Sequence, residues 1–286
     1  VNPSLSPNPI TDLNALFTFP FMVNALEAGT IVAVLAAVVG WYMVLRRQSF
    51  AGHTLAVMSF PGAAGAALIG LPTTLGYYLA CGGAALLMRG ARGSIRRGYG
   101  TETATIATVQ TLGLAAGFVF LSLNNAVLGG TETLLFGTFL GVSRGQVLAL
   151  LIVAALGVAL IALAARPLLL ETIDPEAARA RGLPVAGLDI AFLLLLAAAV
   201  AATSQITGAL LVFALLVAPA AAAQQLTMRP GLGLALGVVF ALVIVWLGLG
   251  IAYFSIYPVG FYVTSIAFAI YLGARLVRGI ANRRRV

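Results

Sequence analysis

Charge is what this sequence has least of. Only 8% of its 286 residues are Asp, Glu, Lys or Arg, against about 25% in a soluble domain. Apolar residues make up 61% and the mean hydropathy is +1.07. An ordinary water-soluble enzyme is thereby excluded. Lysine is missing altogether, so all 16 cations are arginine, and histidine occurs once. The single cysteine, Cys81, lies inside an apolar run and excludes both an internal disulfide and a cysteine metal cluster. No cleavable signal peptide is evident, and residues 1–14 read as a polar N-terminal tail rich in Pro and Asn.

What is present is apolar sequence in lengths that fit a bilayer, about 20 residues per span. The gaps between charges count the spans. Eighteen uncharged residues separate Glu27 from Arg46, enough for one crossing. Forty-one separate Arg47 from Arg89, broken at Gly70-Leu71-Pro72, which predicts a hairpin of two. Residues 102–123 and 145–165 each predict one span. The 39 residues between Asp189 and Arg229 would reach about 58 Å as one helix, so they must fold back. The place for that turn is Thr203-Ser204-Gln205-Ile206-Thr207-Gly208. The last 45, up to Arg275, turn at Ser255-Ile256-Tyr257-Pro258-Val259-Gly260. The expectation is an all-α polytopic membrane protein of nine transmembrane helices, or eight if the first apolar stretch, Leu16 to Met22, is interfacial.

The arginines orient this bundle. With the N-terminus outside, the loops at 46–47, 89–100, 166–187 and 228–230 and the C-terminal tail all face the cytoplasm, and they hold 15 of the 16 arginines. Only Arg144 falls outside. The net charge of +8 is thus a topology signal, not a nucleic-acid surface. Within the loop 166–187 lies one short, well-punctuated helix. Asp174 is a good N-cap, Pro175 suits the first helical position, and Glu176 favours the positive helix start. Ala177, Ala178, Arg179, Ala180 and Arg181 continue it, and Gly182 with Pro184 stops it. About two turns do not persist alone in water, so the helix must dock, either on anionic lipid through its arginines or in a groove of a partner.

The stretch Ile173-Asp174-Pro175-Glu176-Ala177-Ala178-Arg179-Ala180-Arg181-Gly182 resembles the D-P-E-x-A-x-x-x-G segment of the zinc/manganese permease family of bacterial ABC importers. Four further stretches are similar, in family order. They are Arg46-Arg47 to Gly62, ending in Pro-Gly; Thr133-Leu134-Leu135-Phe136-Gly137 through Leu140-Gly141-Val142-Ser143; Gly208-Ala209-Leu210-Leu211-Val212 through Ala218-Pro219-Ala220; and the span around Pro258. The resemblance covers about residues 28–275. It implies a type II ABC importer-like permease, with one transmembrane domain over 15–278 and a basic cytoplasmic tail at 279–286. It places the protein in a bacterial cytoplasmic membrane, importing zinc, manganese or iron. The implied partners are a second permease copy, a cytoplasmic ABC ATPase docked at 174–182, and an extracellular solute-binding protein or lipoprotein. The chain has no G-x-x-x-x-G-K-[ST] loop. It is read as a transport subunit, not an enzyme, that binds no cofactor of its own.

One motif departs from the family. The usual G-D-x-x-S-H-A puts an aspartate and a histidine one helical turn apart, a plausible stop for a divalent metal. Here Gly52-His53-Thr54-Leu55-Ala56-Val57-Met58 carries His53 at the aspartate position and Val57 at the histidine position. His53 is therefore either an interfacial imidazole satisfied locally or a metal ligand of the pathway. Glu102 either favours a helix start or gives a cation a stepping stone. Of the remaining polar residues, Gln110 is expected to bond between helices and Gln224 and Gln225 to pair with backbone. Asp189 is expected to cap its span, and Met58 and Cys81 to pack. Pro219 is expected to kink its helix and free a carbonyl for a moving gate. Two other classes remain open. A stand-alone secondary transporter would carry mid-span charges and two matching halves. A membrane anchor for a cytoplasmic partner would need the short helix but no polar pathway. A non-metal cargo for an ABC permease is likewise open.

Overall fold

The computed structural model describes residues 16–94, 99–123, 134–135, 137 and 139–283. Among them there is no strand. The helices are α1 (Pro20–Leu45), α2 (Ser49–Leu68), α3 (Thr73–Ser94), α4 (Tyr99–Leu123), α5 (Arg144–Ile173), α6 (Pro175–Ala180), α7 (Val185–Leu226), α8 (Pro230–Tyr253) and α9 (Val259–Arg283). A 3-10 turn at Phe139–Gly141 precedes α5. Six stretches are long and apolar enough to cross a membrane: α1, Ile106–Leu123, α5, Val185–Ala209, α8 and Val259–Ala281. Leu211–Leu226 is a shorter apolar helix, and α2 and α3 complete the bundle. The protein is a multi-pass membrane protein.

Helix α7 decides the architecture. A straight helix of its 42 residues would run about 63 Å. Yet Asp189 near its start and Gln224 near its end both reach the last turns of α1. Asp189 Oδ1 accepts from Arg46 at 2.9 Å, and the Gln224 side-chain amide donates through Nε2 to the Trp41 carbonyl at 2.9 Å. The chain therefore reverses inside α7, at Gly208, whose φ of +73° and ψ of 164° are not helical. Counting its two legs separately, the described residues hold nine apolar helical segments, the number expected from the charge gaps. The turns at 69–72 and 254–258 also fall where the sequence breaks predict.

Helix α1 and both legs of α7 form the centre, with α2, α3, α5, α8 and α9 around them. Small residues permit this: Ala25, Ala28, Gly29, Ala33, Ala36, Ala37 and Gly40 bury α1 on nearly every side. A Cβ at Gly62 would strike the Gly76 carbonyl, and the reverse is equally true, so α2 and α3 cross backbone to backbone. The outer helices instead expose large apolar side chains, such as Leu156 and Leu163 of α5 and Phe268 of α9, as a lipid-facing surface must. Helix α5 is longer than expected. At 30 residues it spans about 45 Å, so residues 166–173 of the predicted loop are helical.

Candidate functional site

Two ends of the bundle differ in chemistry. The end holding Arg46, α6 and the start of α7 is called the foot, and the end holding Gly208 the tip. At the foot, Asp174 closes α5 and opens α6 at once. Its Oδ1 accepts from the amides of Glu176 at 3.1 Å and Ala177 at 2.9 Å, the expected N-cap. Pro175 occupies the first turn, Arg181 caps the C-terminus, and Gly182 follows at φ +75°. Ala178 is fully buried, whereas Glu176, Arg179, Ala180 and Arg181 are exposed. One face of α6 thus packs on the bundle and the other carries charge into the surroundings. The predicted segment 174–182 is one folded unit.

Beside α6 lies a buried ionic cluster that the sequence reading did not assemble. The Arg46 guanidinium donates to Glu171 through both Nη atoms, at 2.8 and 3.1 Å, and to Asp189 Oδ1 at 2.9 Å. Both the Arg46 and Glu171 side chains are only 6% exposed. Gln48 Nε2 also donates to Asp189 Oδ1, at 3.1 Å, and Arg46 stacks over the Phe192 ring at 4.9 Å. Burial alone would lower the Arg46 pKa. The hydrogen bonds and charges of Glu171 and then Asp189 outweigh that and push it upward. Asp189 is therefore not a simple cap, because α7 begins earlier, at Val185. The available signal was compositional: with eight acids in the chain, two of them, Glu171 and Asp189, flank the short helix closely.

His53 stands on the second turn of α2. Its ring meets Phe213, on the second leg of α7, edge to face at 5.0 Å, and its Nδ1 is buried with no hydrogen-bond partner. Val57, one turn on, is buried. Next to His53, the Thr54 hydroxyl donates to Gln110 Oε1 at 2.9 Å, the interhelical bond expected of Gln110. Met58 lies against Gly113 of α4, and Cys81 is buried with its thiol on the Leu55 carbonyl. Both pack, as expected. Glu102 falls in the first turn of α4, but its side chain lies outside the described residues. Pro219 is buried within the second leg of α7, where the backbone stays helical and the reversal belongs to Gly208. Lacking an N–H, Pro219 cannot bond the Leu215 carbonyl. Gln224 pairs with backbone, whereas Gln225 accepts from Arg278 at 2.7 Å. Among the described residues no three of His, Cys, Asp and Glu converge.

Comparison with known proteins agrees with this arrangement. The ABC 3 transport family matches residues 18–278. The chain is 32% identical over 215 residues to the chelated iron transport system membrane protein YfeC of Yersinia pestis, covering 75% of this chain and 72% of that one. It is 30% identical over 247 residues to the manganese transport system membrane protein MntC of Halalkalibacterium halodurans, covering 84% and 80%. Its fold superposes on PsaBC from Streptococcus pneumoniae, solved in complex with Fab, with a TM-score of 0.82. That match has 25% identity and covers 93% of this chain and 95% of that one. A family match over nearly the whole chain and a superposable fold lead to one conclusion: this chain belongs to the ABC 3 transport family, as a membrane permease.

Proposed function

We propose that this permease imports a divalent metal ion, manganese or zinc with iron as a third candidate, driven by a separate ABC ATPase that docks on α6. The observation that carries the reading is α6 itself. It is capped at both ends, one face is buried through Ala178, and its charged face is left outward for a partner. ATP hydrolysis then belongs to the partner, and this chain supplies the pathway. The relatives named for manganese and iron transport support a metal cargo.

Orientation follows from where the charge collects. Arg46, α6 and its arginines, Trp41 with Gln224, and Gln225 with Arg278 all belong to the foot. By the bias of arginine toward the cytoplasm, the foot faces the ATPase and the tip faces outside, with the N-terminus out and the C-terminus in. A solute-binding protein delivers the ion at the tip. A second copy of the chain completes the pathway. The exposed Thr108 and Thr111 of α4 bond their own helix's carbonyls, which makes a hydroxylated face suited to lining it.

In this reading His53 offers a buried imidazole nitrogen and Glu102 a carboxylate, ligand types that suit zinc or manganese. Uptake of manganese(II), zinc(II) and iron(II) into proteoliposomes holding the permease, its ATPase and its binding protein tests it. ATP-dependent accumulation of one metal is expected, lowered by His53→Ala and by Glu102→Gln at unchanged protein level. ATP hydrolysis without accumulation of any of the three would transfer the reading to a non-metal cargo.

A further inference from the structure

The segment that carries α6 is anchored on both sides by one side chain. Glu171 sits three residues before the shared cap Asp174, and Asp189 sits in the second turn of α7, just beyond the segment. Their carboxylates converge on Arg46, which belongs to neither flank: it is the C-cap of α1. The residue after it, Arg47, is held at φ +57°, and the next, Gln48, opens α2 and donates to the same Asp189 oxygen. One guanidinium and one amide thus fasten the base of the α6 segment to the joint between α1 and α2. A turn beyond that joint is His53.

The cluster is stiffly held. The Arg46–Glu171 contact is a two-pronged, charge-assisted pair, stiff in both direction and distance. Phe192, one turn after Asp189 and 1% exposed, holds the guanidinium from below. Withdrawing Arg46 would leave two carboxylates packed around its place. For a buried pair, leaving a charge without its partner is strongly destabilising. Stability alone is a poor reason to bury such a cluster, since apolar residues of similar volume often serve as well.

We infer that Arg46, Glu171, Asp189 and Gln48 form the latch that carries displacement of α6 to the α1–α2 joint and the first leg of α7. The inference rests on the reading of α6 as the ATPase dock, and its members are positioning residues: they touch no cargo.

The test uses the permease bound to its ATPase, with hydrogen exchange measured before and after trapping the ATPase with vanadate. In the wild type, trapping should change exchange both in 174–183 and in 45–56. In Glu171→Gln, which keeps the volume but replaces one of the two accepting oxygens with an N–H donor, and in Arg46→Gln, 174–183 should still respond while 45–56 falls silent. Manganese(II) taken up per ATP hydrolysed should fall by about tenfold or more, on the scale of a coupling free energy, with the ATPase still bound. Arg46→Lys, a point charge in place of a fork, should fall between. A full response of 45–56 in both Gln variants would overturn the latch, because a merely structural cluster leaves signal transfer intact. No response at 174–183 in the wild type would instead overturn the docking reading beneath it.

Discussion

The foot and the tip of the α7 hairpin hold the same helix by opposite means. At the foot, charge and direction do the holding: Arg46 grips Asp189 and Glu171, and Gln224 reaches the Trp41 carbonyl. At the tip, among the described residues, it is backbone closeness. Gly208 lies so near Gly137 and Leu135 that a Cβ on it would overlap their main chains, and Gly137 in turn lies against the Ile206 carbonyl and Thr207. Both glycines have positive φ, at 73° and 78°. A buried ionic cluster is stiff and directional, which suits the end proposed above as the ATPase dock. A contact of glycine on glycine fixes a sharp reversal of the chain with no charged group in the contact.

Substitutions at each end should separate the two devices. The largest loss is expected from Arg46→Ala, which leaves buried Glu171 and part-buried Asp189 without their shared cation and should cost about 3–5 kcal/mol. Thermal unfolding of the purified protein in detergent reads it. Gly208→Ala comes next, at about 1–3 kcal/mol for the forbidden backbone region alone, with the overlap against Gly137 added to it. The same melt measures it, and Gly137→Ala should behave alike if the two glycines act as one contact. Asp174→Ala should cost about 1 kcal/mol, confined to α6. Its signature is faster amide exchange at Glu176 and Ala177 with an unchanged melt of the bundle, together with weaker ATPase capture. The smallest effect belongs to Gln110→Leu, which removes the bond from Thr54 and should cost about 0.6 kcal/mol, the usual worth of a hydrogen bond between membrane helices.

Much of the fold was legible because membrane sequences are punctuated. Breaks at Gly70-Leu71-Pro72 and before Pro258, and a run too long for one crossing before Arg229, place the turns that the structure has. The short helix was legible too, because Asp174, Pro175 and Gly182 mark its boundaries locally. The ionic cluster was not. Arg46 is 125 residues from Glu171 and 143 from Asp189, and neither charge spacing nor periodicity pairs residues across such distances. Asp189 read as a cap because a carboxylate at the head of an apolar run normally is one. Gly208 was legible as part of a turn, but its partner Gly137 was not, since close backbone approach leaves no mark on the sequence beyond the glycine itself. His53 was singled out by its solitude, and the edge-on contact with Phe213 could come only from the fold.

The proposed dock puts the ATPase at the foot and away from the tip. A photoreactive phenylalanine analogue placed at exposed Arg179, and separately at Ile256, which is 80% exposed in the α8–α9 turn at the tip, tests it in one experiment. With the cognate ATPase co-expressed, irradiation should yield a permease–ATPase adduct from position 179 and none from position 256. An ATPase adduct from position 256, with none from 179, would contradict the account.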